Sequence, residues 1–134
     1  MSDAPREPVR ATAWGLRRLR RDLDFRRVLR TGVRVSTRGL TLWLAANELG
    51  RWRMGLRVGR RCGGAVRRNR IKRILREAFR RASTTEHGGL DMVLAPGPEF
   101  IATLPAAERV LGELLGRAAE RLRARGAAEE GSTR

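Results

Sequence analysis

Residues 65–82 constrain this chain more than any other segment. Ile71, Ile74, Leu75, Ala78, Phe79 and Ala82 recur at helical spacing and, at roughly 100° per residue, form one apolar stripe. The opposite side carries Asn69, Arg73, Arg76 and Arg80, flanked by Arg70 and Lys72, and Glu77 is the only acid in the segment. Such a helix has to bury one face and leave a cationic face outside. Like charges one turn apart destabilise an isolated helix, so a polyanion docked along this face would remove a penalty. The plain alternative is a solvated face, but solvated faces ordinarily mix signs. Arg67 and Arg68 fall at the start of the helix, where their side chains are expected to splay outward.

The remaining periodicities supply what the stripe packs against. Residues 22–30 read as a short helix capped by Asp22 and ended by Thr31 and Gly32, with Phe25, Val28 and Leu29 on one side. The period then changes to two. Leu40, Leu42 and Leu44 alternate with Thr41, Trp43 and Ala45; after a turn at residues 47–50, Trp52, Met54, Leu56 and Val58 do the same. These predict two antiparallel strands joined by a hairpin, with a short strand at residues 33–37 before them. The second face of this sheet presents Trp43 with Arg53 and Arg57, an aromatic among guanidinium groups, as a platform for single-stranded RNA would. Residues 90–95 read as a buried strand closed by Pro96. A last helix, with Pro105 in its first turn and Val110, Leu111, Leu114, Leu115, Ala118 and Leu122 on one face, runs to about Arg125 and ends at Gly126. The order α-β-β-β-α-β-α predicts an α+β fold, a two-layer α/β sandwich built on a small, mainly antiparallel sheet. The expected organisation is a basic arm at residues 1–15, one domain at 16–125 and a frayed tail at 126–134.

Charge narrows the class of partner. The formal net charge is +16 in 134 residues, and 29 of the 30 basic residues are arginine. Residues 57–81 alone carry eleven basic groups against Glu77, whereas residues 82–134 are slightly acidic. A field concentrated in this way attracts polyanions, and arginine forks pair with phosphates in bidentate fashion. Apolar residues make up 41% of the chain, enough for a core, and no run suggests a membrane span. The single cysteine, Cys62, excludes an internal disulfide and fits a cytoplasmic location. No catalytic or metal-ligand set stands out, since His87 is the only histidine and no phosphate-cradling glycine loop is present. The residues alone leave open a general RNA-binding protein, a DNA reader and a nuclease with its own metal. Two strands ahead of the basic helix argue against a helix-turn-helix reader, and the missing ligand cluster argues against the nuclease.

One resemblance goes further. Arg68-Asn69-Arg70-Ile71-Lys72-Arg73 followed by Arg76-Glu77-Ala78-Phe79-Arg80 resembles the signature of the bacterial ribonuclease P protein family. Val58-Gly59-Arg60-Arg61 and Gly63-Gly64-Ala65-Val66 are similar to the family's basic loop, and Asp24-Phe25-Arg26-Arg27-Val28-Leu29 to its first helix. Leu29 departs from the pattern, since an aromatic is common there, as does Gly64, where asparagine is frequent. The resemblance implies a subunit that binds the catalytic RNA through Arg60, Arg61, Arg68, Asn69, Arg70, Lys72, Arg73, Arg76 and Arg80. It implies a cleft for the 5′ leader of precursor tRNA at Phe25, Leu29, Arg38, Trp43 and Arg57. It also implies a left-handed β-α-β crossover around the basic helix. The active site would belong to the RNA, with magnesium expected for the RNA-catalysed reaction. No cofactor of the protein itself, no membrane partner and no obligate protein partner are expected.

Overall fold

The structure, a computed structural model, describes residues 18–37, 39–82 and 89–132. The expected arm at residues 1–15, Arg38 and the loop around His87 lie outside the described residues. The elements are α1 (Asp22–Thr31), β1 (Val33–Thr37), β2 (Leu40–Ala46), β3 (Arg53–Leu56), a short 3-10 turn (Arg60–Cys62), α2 (Ala65–Ala82), β4 (Leu90–Pro96) and α3 (Leu104–Ser132). They follow the expected order, and α2 has the bounds that its stripe predicts.

The strand order is β1-β2-β4-β3. β4 lies antiparallel to β2 and parallel to β3, which corrects the expected hairpin between β2 and β3. A period of two shows that each strand has a buried face, but it is silent on the neighbour. The turn after β2 instead joins β4: Asn47 N–H donates to Gly89 O at 3.0 Å, extending the β2–β4 ladder by one rung. β3 then reaches the far side of β4 and returns through α2, giving the parallel β3-α2-β4 unit.

The alternation sorts the side chains as expected. Leu42, Leu44, Met54, Met92 and Leu94 face α2 and α3 and form the main core with Ile71, Leu75, Phe79, Leu111 and Leu114. α2 and α3 make the helical layer on this side, tied at their surface by Arg81 and Glu108 at 3.0 Å. α1 packs on part of the opposite face, where Val28, Ala45, Val93 and Leu19 form a second, smaller cluster with Phe25, Leu29 and Trp43 at its margin.

Two helix ends differ from the sequence reading. Arg21, not Asp22, is the N-cap of α1, with no side-chain cap bond, and Asp22 lies in the first turn beside the positive end of the helix dipole. α3 runs through Gly126 to Ser132, beyond the expected end. Glycine weakens a helix but does not have to end it, and the neighbouring arginines hold α3 along the sheet edge. Arg117 and Arg121 donate to the carbonyls of Ser36 and Arg34 at 3.5 and 2.9 Å, and Arg125 donates to Thr31 O. Spaced by one helical turn, the first two cover acceptors on β1, where a foreign strand would otherwise pair, and the third reaches the last residue of α1.

The only buried charged side chain among the described residues is Asp91, at 0% exposure on β4. It accepts hydrogen bonds from Arg53 Nε and Nη2 at 2.9 and 2.7 Å, from Asn47 Nδ2 at 2.6 Å and from Arg27 Nη2. It therefore joins α1, the turn after β2, and β3. Replacing Asp91 with Ala leaves two guanidinium groups without their acceptor. The expected loss is about 3–5 kcal/mol of unfolding free energy, read from urea denaturation; a change below about 1 kcal/mol would show that the network is peripheral.

Candidate RNA interface

The basic half of the site begins at the 3-10 turn. Cys62 is buried, with its Sγ 3.2 Å from Pro96 O, and this anchors the turn to the end of β4. Gly63 follows with φ +115°, a conformation that L side chains rarely adopt, and α2 starts two residues later. Arg60 and Arg61 remain exposed on the turn. Arg67 does not splay outward as the sequence suggests. Its Nε donates to Cys62 O at 2.8 Å and its Nη2 to Phe100 O at 3.1 Å, so it brackets the turn. Arg68 Nε donates to Gly63 O at 3.1 Å.

Along α2, Asn69, Arg70 and Arg73 are exposed, and Arg68, Lys72 and Arg76 are half-buried. Ile71, Leu75, Ala78 and Phe79 are fully buried behind them. The sequence-based array is therefore a single ridge on a fixed helix. Its end differs in character. Arg80 and Arg81 both donate to Glu77, whose pKa falls to about 2, first through the Arg80 hydrogen bond. Arg80 thus carries a charge offset by an acid, whereas Arg73 and Arg76 do not.

The aromatic half lies on the other face of the sheet. Adjacent strands place Arg34, Trp43, Val93 and Gly55 in one row. Arg34 stands over the Trp43 indole, 5.7 Å from its centroid, a cation–π contact. Phe25 reaches from α1 to the other end of the row. A Cβ at Gly55 would lie 2.4 Å from Phe25 Cζ, so only glycine admits the ring there. The next row has Thr41 opposite Ala95, both small and half-buried. Arg57 continues the register beyond β3, its N–H donating to Leu94 O at 2.9 Å. Phe25, Leu29 and Trp43 thus pack against one small apolar cluster, and Arg57 lies one row further along the same sheet face; Arg38 lies outside the described residues.

Three residues of consequence escape the sequence reading. Arg53, expected on the open face beside Trp43, is turned instead into the Asp91 network; its hydrogen bond to Asp91, and then the contact to Asp24 at 3.5 Å, hold it more basic than usual. Asp91 itself was hidden in an apolar strand, although one acid in residues 90–95 facing an arginine-rich helix was a readable signal. Arg34 meets Trp43 only through the β1–β2 register; the pattern of Val33 and Val35 gives its face but not its neighbour. Among the described residues, no group of three or more His, Cys, Asp or Glu side chains gathers in a metal-holding arrangement, and no helix is long and apolar enough to cross a membrane.

Two outcomes follow from this geometry. Glu77 is more acidic in the folded chain than its usual 4.5. Its contribution to stability is therefore complete above that value and is lost as pH falls toward about 2. Glu77→Gln should flatten this part of the acid-denaturation profile, and an unchanged profile would contradict the pairing. Gly55→Ala should displace Phe25 and cost about 1–3 kcal/mol, seen as a lowered thermal midpoint with altered near-ultraviolet or aromatic NMR signals; native Phe25 signals would contradict the close approach.

Comparison with known proteins agrees with these features. The family model for ribonuclease P matches residues 15–119. The ribonuclease P protein component of Syntrophobacter fumaroxidans is 39% identical over 101 residues, covering 73% of this chain and 85% of the relative. That of Natranaerobius thermophilus is 38% identical over 76 residues, covering 57% of this chain and 66% of the relative. Among solved structures, the RNase P protein of Thermotoga maritima superposes with a TM-score of 0.67 at 30% identity, covering 75% of this chain and 96% of that one. That of Staphylococcus aureus gives 0.67 at 27% identity, covering 76% and 94%. With its sequence, its fold and a family match spanning most of its length in agreement, the chain belongs to the ribonuclease P protein family.

Proposed function

We propose that this chain is the protein subunit of a ribonuclease P ribonucleoprotein, assisting removal of the 5′ leader from precursor tRNA while the RNA subunit performs the cleavage. The observation that carries the reading is the juxtaposition of a one-sided cationic helix with an open aromatic sheet face on the same small domain. The ridge of Arg60, Arg61, Arg68, Asn69, Arg70, Lys72, Arg73 and Arg76 offers donors spaced along a rigid support, suited to the phosphates of a folded RNA. Arg80 belongs to the same ridge but contributes less, since Glu77 offsets its charge. A cleft at Phe25, Leu29, Trp43 and Arg57 suits an unpaired strand. Its aromatic walls take base or ribose faces, and its arginines take the backbone.

In this arrangement the protein supplies binding and position rather than bond-breaking groups. Cations between two RNAs reduce their repulsion, and a cleft that holds the leader favours substrate over the leaderless product. Magnesium ions would be held by the RNA, where the reaction takes place. The setting is the cytoplasm, where tRNA precursors and the RNA subunit meet.

The direct test mixes the purified protein with a bacterial ribonuclease P RNA and follows precursor-tRNA cleavage at low magnesium. Restored leader removal supports the reading; tight RNA binding without rescue would leave a general RNA-binding protein instead. Reversing Arg73 and Arg76 to Glu should weaken binding to the RNA subunit and flatten the dependence of log K on log salt. Trp43→Ala should reduce the preference for leader-bearing over mature tRNA more than it reduces stability. Equal losses of affinity for both tRNAs would contradict the cleft assignment.

A further inference from the structure

Arg34 projects from β1 directly opposite Trp43 of β2, at the edge of the sheet away from β3. Its guanidinium lies over the indole, 5.7 Å from the ring centroid. The backbone is held, since Arg34 O accepts from Arg121 at 2.9 Å. The side chain is exposed and, among the described residues, makes no hydrogen bond and no ion pair. Arg27 and Arg53 differ, because Asp91 occupies their forks. Arg34 therefore keeps a planar set of N–H donors turned to solvent, beside an aromatic ring.

The surroundings of the pair restrict what can supply acceptors to it. Toward β4 the indole packs against the apolar cluster of Val28, Ala45 and Val93, so that side is closed. Toward β1 its cover is the Arg34 guanidinium. The next row on the same face has Ser36 opposite Thr41 and Thr41 opposite Ala95, three small side chains that are exposed or half-buried. A flat ring thus finds a low floor to enter by, the indole to stack on and a guanidinium at its edge. An indole accepts any base, since every base has a π-face. The fork is selective. Guanine offers O6 and N7, two adjacent acceptors at the spacing of the fork, whereas adenine and cytosine turn an amino donor to the same edge. A stacking base takes the place above the ring that Arg34 holds in the free protein, and the displaced side chain then lies beside the edge of that base.

We infer that Arg34 is a specificity-determining residue that, together with Trp43, selects guanine at one position of the unpaired leader. This rests on the leader-cleft reading above and adds base identity to it. Trp43 supplies the stacking surface, and Arg34 reads the O6/N7 edge from β1.

The test uses holoenzyme assembled from the full chain and a bacterial ribonuclease P RNA. Precursor tRNAs carry each base in turn at each unpaired leader position, and affinity is measured for every one. At one position guanine should bind about 5- to 100-fold tighter than the other bases. Replacing that guanine with 7-deazaguanine removes the N7 acceptor and should erase most of the advantage. Arg34→Gln should erase it too, and so should Arg34→Lys, which keeps the charge but loses the fork. The thermal midpoints of both variants should match the parent, since the side chain is exposed; the 7-deazaguanine arm needs no variant and decides the matter even where a variant is unstable. A guanine advantage that survives 7-deazaguanine or Arg34→Lys means that charge alone acts there, and overturns the inference. So does the lack of any base preference. Trp43→Ala separates the two levels. Should it lower the preference for leader-bearing tRNA while no guanine preference exists, the cleft stands and Arg34 has no reading role. Should it leave that preference intact, the cleft reading falls and the role of Arg34 falls with it.

Discussion

The buried carboxylate of Asp91 sets the geometry on which the rest depends. A charged group at 0% exposure is costly unless its oxygens are fully engaged, and here arginines from α1 and β3 and an asparagine after β2 engage them. Arg27 also donates to Ala46 O at 3.2 Å, so the same side chain ties α1 to the end of β2. These bonds are directional, unlike the small apolar cluster beside them. They fix the rotation of α1 about its axis as well as its position, and so decide where Phe25 and Leu29 stand over the sheet. Gly55 completes the constraint by letting the Phe25 ring rest against the backbone of β3. The position of α1 over the sheet is therefore set by a polar clamp at one end and a close backbone approach at the other.

The placement of α2 follows from a different balance. Its stripe is buried by apolar packing alone, and the parallel β3-α2-β4 connection puts its opposite face in solvent. The turn leading into it is pinned by Cys62 and bracketed by Arg67, so the first turns of the ridge are held from behind. A rigid array of cations loses less conformational entropy on meeting phosphates than a flexible basic tail does. This gives a physical reason for building the ridge on a helix that also belongs to the main core.

Much of the architecture was readable from the chain. The bounds of α2 and the inward side of each strand follow from spacing, because a helix or strand exposes its own periodicity; the shared neighbourhood of Phe25, Leu29 and Trp43 follows only from the family resemblance. Strand pairing did not follow. Leu40 to Val58 reads equally well as a hairpin or as two strands parted by a third, and only the long-range register of Asp91 with Ala45 and Arg53 distinguishes them. The helix end at Gly126 failed for a related reason: local propensity favours a stop, while contacts from Arg121 and Arg125 to distant carbonyls favour continuation. Arg53 was misplaced because an arginine in a strand looks the same whether it faces solvent or a buried acid.

Arginine is the source of that ambiguity and also its solution. The chain uses one side chain for two purposes, and net charge cannot separate them. Arg27, Arg53, Arg67, Arg117 and Arg121 donate to acceptors within the fold and are part of its construction. Arg73 and Arg76 lie on a firmly supported helix with no acid across from them, and Arg18 is brought against the same helix by the edge of β3. Removing an arginine of the first kind exposes a buried acceptor or frees a loop, so stability bears the loss. Removing one of the second kind relieves repulsion, so stability is spared and binding bears it. That contrast in partners, rather than the total of +16, separates the arginines that build the fold from those whose charge the fold leaves without an acid.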